Sequence, residues 1–98
     1  MVMNTSSTIT MPERFIYSAN VDFNAKIVAA LAAITSAGQS IALDCSAMEY
    51  IDSAGIGLLV MSYKKAQKIG AKIAMINVKK SVSDILILAN LQKLIDIH

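Results

Sequence analysis

Apolar residues recur every three or four positions in three parts of the chain, which is the spacing of an amphipathic helix. The first stretch has its apolar stripe at Phe23, Ile27, Leu31 and Ile34. Asp22 is placed to cap the amino end of this helix, and Gly38 is placed to end it, because glycine adopts a left-handed backbone without penalty. A second helix is predicted over residues 52–69, and a third after residues 81–84, which resemble a capping box.

Short β-type stretches separate these helices. They are predicted at residues 15–17, 40–45, 71–78 and 94–97. Alternation of strands and helices is typical of an α/β domain with parallel neighbouring strands and right-handed crossovers. We therefore expect a mixed sheet of four to five strands, with parallel core strands packed by three α-helices. We also expect a single domain over residues 1–98, in which residues 1–13 are either an irregular segment or an edge strand.

The composition supports a folded domain and argues against several classes of partner. Hydrophobic residues make up 55% of the 98 positions and charged residues 16%, which is the opposite of the balance in disordered chains. The net charge of +2 and the absence of tryptophan give little support to nucleic acid as a partner. We expect a cytoplasmic protein without direct membrane insertion, because no apolar run approaches about 18 residues and the amino end lacks a signal-peptide pattern.

Residues that commonly carry catalysis or bind metals are scarce. The single cysteine, Cys45, and the single histidine, His98, are far apart in the chain and do not form a metal-binding pattern. Ser53 is a conceivable nucleophile beside Asp44 or Asp52, but it lies in no Gly-x-Ser-x-Gly elbow. We therefore expect a non-enzymatic protein with no catalytic residues, no metal and no cofactor.

The beginning of the second helix has the most specific pattern in the chain. Asp52 is placed as the amino-terminal cap of this helix. Gly55 and Gly57 follow in its first turns, where each glycine lowers helix stability by about 1 kcal/mol relative to alanine. Two explanations remain open for this pair. Either the glycines let the helix pack tightly on the sheet, or they let the backbone of a partner approach closely.

Helical phase predicts which side of this helix is free. Its sheet side is predicted to hold Ile56, Leu59, Val60 and Tyr63. Outward positions are predicted for Ala54, Leu58, Met61 and Lys65. Ser53 is predicted to lie on the flank, partly against the sheet. An outward leucine and methionine form a candidate interaction surface, since flexible methionine suits adaptable contacts.

Residues 41–60 resemble the STAS domain family, whose founding members are bacterial anti-anti-sigma factors. The family pattern is a strand ending in Leu-Asp, then Asp-Ser-Ser/Ala/Thr-Gly and an apolar helix. It stands here as Leu43-Asp44 and Ile51-Asp52-Ser53-Ala54-Gly55-Ile56-Gly57. The resemblance covers roughly residues 14–98, although the Gly-Arg/Glu-Leu-Asp turn usual before the first helix is absent.

The resemblance implies a regulatory module that takes part in partner switching. Its partner would be an anti-sigma factor or a GHKL-type serine kinase, with a phosphatase as a further partner. The implied contact residues are Asp52, Ser53, Ala54, Gly55, Gly57, Leu58 and Met61. An alternative within the family is an accessory subunit of a membrane lipid-transport ATPase complex.

In the family, a kinase phosphorylates the serine two positions after the aspartate, which is Ala54 in this chain. Alanine has no hydroxyl group to modify. We therefore expect a domain that is always unmodified and able to bind. The alternative is that Ser53 is a displaced phosphorylation site, which would require the first helical turn to open.

Overall fold

The computed structural model describes residues 5–98 and shows an α/β fold with three helices. The strands are β1 (Thr5–Thr10), β2 (Arg14–Phe15), β3 (Ser40–Asp44), β4 (Tyr50–Ile51), β5 (Lys72–Ile76) and β6 (Asp96–Ile97). The helices are α1 (Asn20–Ala32), α2 (Ser53–Gln67) and α3 (Lys80–Leu88). Short 3₁₀ turns lie at Tyr17–Ala19 and Leu91–Lys93.

The strands form two parallel sheets. The main sheet has the order β1-β3-β5-β6, and β2 pairs with β4 in a separate two-stranded sheet. Every strand pair in residues 5–98 is parallel, so the expected mixed sheet is wrong in that detail. Of the two expectations for the amino-terminal part, the edge strand is correct for residues 5–10, while residues 1–4 lie outside the described residues.

The core lies between the main sheet and the helices. The successive crossovers step in one direction across the sheet. Crossovers between parallel strands are almost always right-handed, and such a series has its helices on the same face. Alternate strand residues point toward that face, and those in the core are Ile9, Ile41, Leu43, Ile73 and Met75. They meet Phe23 and Ile27 of α1, Leu59 of α2 and Leu86 of α3 in one apolar cluster. Full burial of each such side chain stabilises the fold by about 1.5–3 kcal/mol.

Both ends of α1 differ from the prediction. The helix begins at Asn20, so Asp22 lies in its first turn and forms an ion pair with Lys26 at 3.1 Å instead of capping the helix. The helix ends at Ala32, before it reaches Gly38. Gly38 has a φ of 89° and donates its N–H to the Gly70 carbonyl at 2.8 Å, so it links the loop after α1 to the loop after α2.

The predicted capping box before α3 is also wrong. The helix begins at Lys80, and the capping position belongs to Lys79, which makes no side-chain capping bond. Asp84 instead forms an ion pair with Lys80 at 3.0 Å, one helical turn away.

Candidate functional site

A carboxylate fixes the beginning of α2. Asp52 has an extended backbone and its Oδ1 accepts a hydrogen bond from the Gly55 N–H at 2.9 Å. The Asp52 carbonyl also accepts the first helical hydrogen bond, from the Ile56 N–H at 3.0 Å. This arrangement satisfies a backbone donor that has no partner within the helix, and it places a negative charge at the positive end of the helix dipole. The predicted cap at Asp52 is confirmed.

Gly55 is required by the fold. A Cβ atom added at Gly55 would lie 2.2 Å from the Phe15 carbonyl oxygen and 2.9 Å from Cγ1 of Ile51. The first turn of α2 therefore rests directly on β2 and β4. Phe15 is fully buried, and its ring packs edge-on against that of Phe23, with the ring centroids 4.8 Å apart.

Gly57 has no comparable role inside the chain. A Cβ atom added there would meet nothing within 4 Å, and the residue is exposed. The two glycines thus have different explanations. Packing of α2 accounts for Gly55, but it does not account for Gly57, whose lower helix propensity has no compensating contact among the described residues.

The buried side of α2 is made mostly of small residues. Gly55, Leu59, Ser62 and Ala66 are buried. Of the predicted sheet side, Leu59 is buried, while Ile56, Val60 and Tyr63 are half-buried. The Ser62 hydroxyl donates to the Leu58 carbonyl at 2.8 Å, so its burial leaves no unpaired donor. Small side chains let the helix backbone approach its neighbours closely, and α2 is therefore rotated relative to the predicted orientation.

We call the exposed side of α2 its outer stripe. It consists of Ser53, Gly57, Met61, Lys64 and Lys68, where Lys68 caps the carboxyl end. Met61 is 56% exposed, as predicted. The predictions for its neighbours are wrong, because Ala54, Leu58 and Lys65 are half-buried on the flank. Ser53 is exposed instead of lying partly against the sheet.

Exposed apolar residues outside the predicted contact set lie in elements that pack against this helix. Tyr17 is 71% exposed in the 3₁₀ turn that packs beside α2, and Val21 is 78% exposed at the start of α1. Tyr50 lies two positions before Asp52, and the Arg14 guanidinium stacks on its ring at 4.8 Å. A large apolar residue at the entrance of a helix is the sequence signal that could have indicated this region.

Asp44 is a structural carboxylate. Its Oδ1 accepts hydrogen bonds from Asn77 Nδ2 and from the Ser46 N–H, each at 3.1 Å. These bonds, with that from Asn77 the stronger influence, lower the pKa of Asp44 from its ordinary value of 3.8. The carboxylate thus links the ends of β3 and β5, and the bonds that occupy it are structural.

Cys45 is unsuited to thiolate chemistry. The residue is fully buried in the core. Burial, assisted by the nearby charge of Asp44, raises the pKa of the Cys45 thiol to about 12. A thiol that stays protonated at neutral pH is a poor nucleophile and a poor metal ligand.

Two properties of the described residues bear on the kind of site this is. Residues 5–98 hold no cluster of three histidine, cysteine or carboxylate side chains suited to a metal ion. Within the same range, no helix has the length and apolar character needed to span a bilayer.

Comparison with known proteins gives a consistent family. The family model for the STAS domain matches residues 8–98. A solved structure of a candidate anti-sigma factor antagonist from Thermotoga maritima is similar, with a TM-score of 0.73 and 24% identity, over 92% of this chain and 77% of that chain. The anti-sigma factor antagonist SpoIIAA in its unphosphorylated form is similar with a TM-score of 0.69 and 18% identity, over 100% of this chain and 83% of that chain.

A relative of another kind has the same fold. A sulfate transporter family protein from Wolinella succinogenes is similar with a TM-score of 0.72 and 13% identity, over 98% of this chain and 80% of that chain. The family model spans almost all of the described residues, and the motif at residues 52–57 stands at the start of α2 as the resemblance implies. The protein therefore belongs to the STAS domain family.

Proposed function

We propose that this protein is a non-enzymatic regulatory module that binds an anti-sigma factor, or a related GHKL-type serine kinase, in a partner-switching pathway. Two structures with the same fold are anti-sigma factor antagonists by description. The observation that carries the proposal is Gly57, an exposed helical glycine with open space where its side chain would be. Such a residue destabilises the free domain, and close approach of a partner explains its presence.

The proposed docking surface is the amino-terminal half of the outer stripe. Ser53 and Gly57 are small exposed residues, so a partner backbone can approach the helix closely there. Met61 provides an exposed flexible side chain that adapts to the partner. Ala54 and Leu58 form the half-buried flank of this surface. Asp52 and Gly55 act indirectly, since they hold the first turn of the helix in position.

The docking surface is tested by placing a charge in it. Met61→Glu should weaken binding of a purified anti-sigma factor at least tenfold, because docking would bury a carboxylate in place of an apolar side chain. The matched control is Leu88→Glu on α3, a different helix, where the native side chain is 84% exposed. Isothermal titration calorimetry measures both affinities. Loss of binding in the control with retention in Met61→Glu would contradict the proposed surface.

The structure removes one argument against modification at Ser53. Its side chain is exposed at the first position of α2, so a kinase can reach it without opening the helical turn. Ala54 offers no hydroxyl. Regulation by phosphorylation at this surface would therefore act through Ser53, where a phosphate adds a charge of about −1.5 to −2 and opposes docking of an acidic or apolar partner.

Intact-mass measurement after incubation with a serine kinase and ATP separates the two modes of regulation. A gain of about 80 Da that disappears in Ser53→Ala identifies a switched domain. An unchanged mass with a kinase that binds the domain identifies a domain that is always receptive. Thr5→Ala, which removes an exposed hydroxyl on β1, is the control for nonspecific phosphorylation.

The fold of the Wolinella succinogenes protein supports a second candidate function, which is an accessory subunit of a membrane transport complex, such as a lipid-transport ATPase. The same surface would then bind an ATPase subunit. Binding assays with a purified transport ATPase and a purified anti-sigma factor distinguish the two functions, and Met61→Glu shows whether either partner uses the outer stripe.

A further inference from the structure

The outer stripe of α2 changes character along its length. Its amino-terminal half is uncharged, and its carboxyl-terminal half carries the exposed residues Lys64 and Lys68. Lys65 lies half-buried beside them. After its cap, α2 contains no acidic residue, so nothing within the helix neutralises these cations.

Carboxylates elsewhere in the fold do not neutralise them either. The ion pairs within residues 5–98 join Lys26 to Asp22, Lys79 to Glu49 and Lys80 to Asp84. None of these pairs includes a lysine of α2, and the whole chain has a net charge of only +2. Of the six cations without a carboxylate partner in residues 5–98, three therefore lie on α2 and its cap, and the other three, Arg14, Lys72 and Lys93, are spread over other elements.

Lys64 and Lys68, like Gly57, lower the stability of the helix. Lys64 and Lys68 stand one helical turn apart, and like charges at this spacing destabilise a helix. The negative end of the helix dipole favours cations, but a single lysine there would gain that benefit without the repulsion. Two features of one stripe thus lower the stability of the isolated domain, and both are explained when a partner covers the stripe.

We propose that the outer stripe binds an acidic amphipathic helix of the partner protein along its whole length. Small residues of the partner helix pack at Gly57, apolar residues contact Met61, and carboxylates meet Lys64 and Lys68. The helix of 15 residues is about 22 Å long, which accommodates four turns of a partner helix. This inference rests on the proposed function of the surface as a protein-binding site, and it adds the chemistry of the partner.

A synthetic peptide tests this chemistry directly. The probe is a 16-residue helix with alanine and leucine on one face and glutamate on the adjoining positions, and the control peptide has glutamine in place of every glutamate. Nuclear magnetic resonance of the labelled domain should show amide shifts centred on Gly57, Met61, Lys64 and Lys68. The glutamate peptide should bind about tenfold more tightly at low salt, and salt should reduce this advantage. Equal binding of both peptides, or shifts centred on α3, would overturn the proposal.

Charge reversal tests the position of the site. Lys64→Glu/Lys68→Glu should weaken binding of the glutamate peptide about tenfold. Lys72→Glu/Lys93→Glu changes the net charge equally, at exposed positions on β5 and in the second 3₁₀ turn, and should leave the affinity unchanged apart from a weak nonspecific effect. Lys64→Gln/Lys68→Gln should give an intermediate loss. Thermal melting confirms that each variant is folded, and an equal loss in both charge-reversal variants would overturn the site.

A purified anti-sigma factor separates this inference from the proposed function. If it binds the wild type and the Lys64→Glu/Lys68→Glu variant equally well, the acidic-helix inference is wrong and the proposed function stands. If the peptide binds the outer stripe but no anti-sigma factor binds the domain, the proposed function is wrong and the inference about the stripe stands.

Discussion

The inner and outer faces of α2 each carry a glycine, and the two glycines have opposite physical settings. Gly55 faces inward, where a Cβ atom would overlap the Phe15 carbonyl oxygen. Gly57 faces outward, where a Cβ atom would meet nothing within 4 Å. The comparison shows that packing accounts for one glycine of this helix and not for the other, for which we propose a role in binding. Only the surroundings of each glycine distinguish the two roles.

The largest expected effect is at the inner face. Gly55→Ala should destabilise the domain by about 3 kcal/mol, because the added methyl group would clash with backbone atoms that cannot move aside easily. Urea unfolding followed by circular dichroism measures the change. A loss below about 0.5 kcal/mol would show that α2 shifts without difficulty, and the inner face would then not fix its position.

The next largest effect on stability is expected at Asp52, the amino-terminal cap of α2. Asp52→Ala should destabilise the domain by about 1 kcal/mol, because the Gly55 N–H loses its acceptor and the helix dipole loses a nearby negative charge. Asp52→Asn is the matched control, since it keeps an oxygen acceptor and removes only the charge. The difference between the two variants in urea unfolding separates hydrogen bonding from charge. Equal stability of Asp52→Ala and wild type would contradict the role of the cap.

On the outer face of α2, replacing the glycine should raise the stability of the domain instead of lowering it. Gly57→Ala should stabilise the free domain by up to about 1 kcal/mol, because alanine favours the helix and the methyl group enters open space. The same substitution should weaken binding of an anti-sigma factor, since it blocks close approach of the partner backbone. A stabilised variant with full affinity would show that Gly57 has no role in docking, whereas a destabilised variant would show that it serves the fold.

The smallest expected effect is a loss of stability in acid, which arises from Asp44 and Glu49, outside α2. Hydrogen bonds lower the pKa of Asp44, mainly that from Asn77, and the bond with Lys79 lowers the pKa of Glu49. A folded-state pKa below the unfolded value adds stability at higher pH that is lost as the pH falls through the folded-state pKa. We therefore expect a small loss of stability as the pH falls below the ordinary values of 4.5 for Glu49 and 3.8 for Asp44.

Thermal melting across this pH range tests the expectation. Asp44→Asn should reduce the pH dependence, and Gly57→Ala should leave it as in the wild type, since this substitution changes no titratable group. A pH dependence that is unchanged in both Asp44→Asn and Glu49→Gln would show that other groups are responsible.

The sequence left the first strand undecided for a physical reason. In β1 only Ile9 is buried, and its other residues are serine and threonine. A strand at the edge of a sheet with one buried apolar residue has almost no alternating pattern, so local reasoning detects it poorly. Pairing with β3 along its length is what makes the segment a strand.

Local sequence was sufficient for the features that depend on neighbouring residues. It determined the alternation of helices and strands, the cap at Asp52, and the absence of a hydroxyl at Ala54. Each of these follows from residue chemistry and short-range spacing. The family was recognisable for the same reason, because its motif is contiguous.

The tertiary structure alone decided how α2 is rotated and therefore which residues are exposed. Periodicity states which side chains share a face of a helix, but the orientation of that face depends on what the helix packs against. Here the deciding contact is between Gly55 and the carbonyl of Phe15, which is forty positions earlier in the chain. Close packing of small residues outweighs burial of the larger apolar side chains in setting the rotation of α2. As a result, Ser53, Gly57 and Met61 lie on the outside.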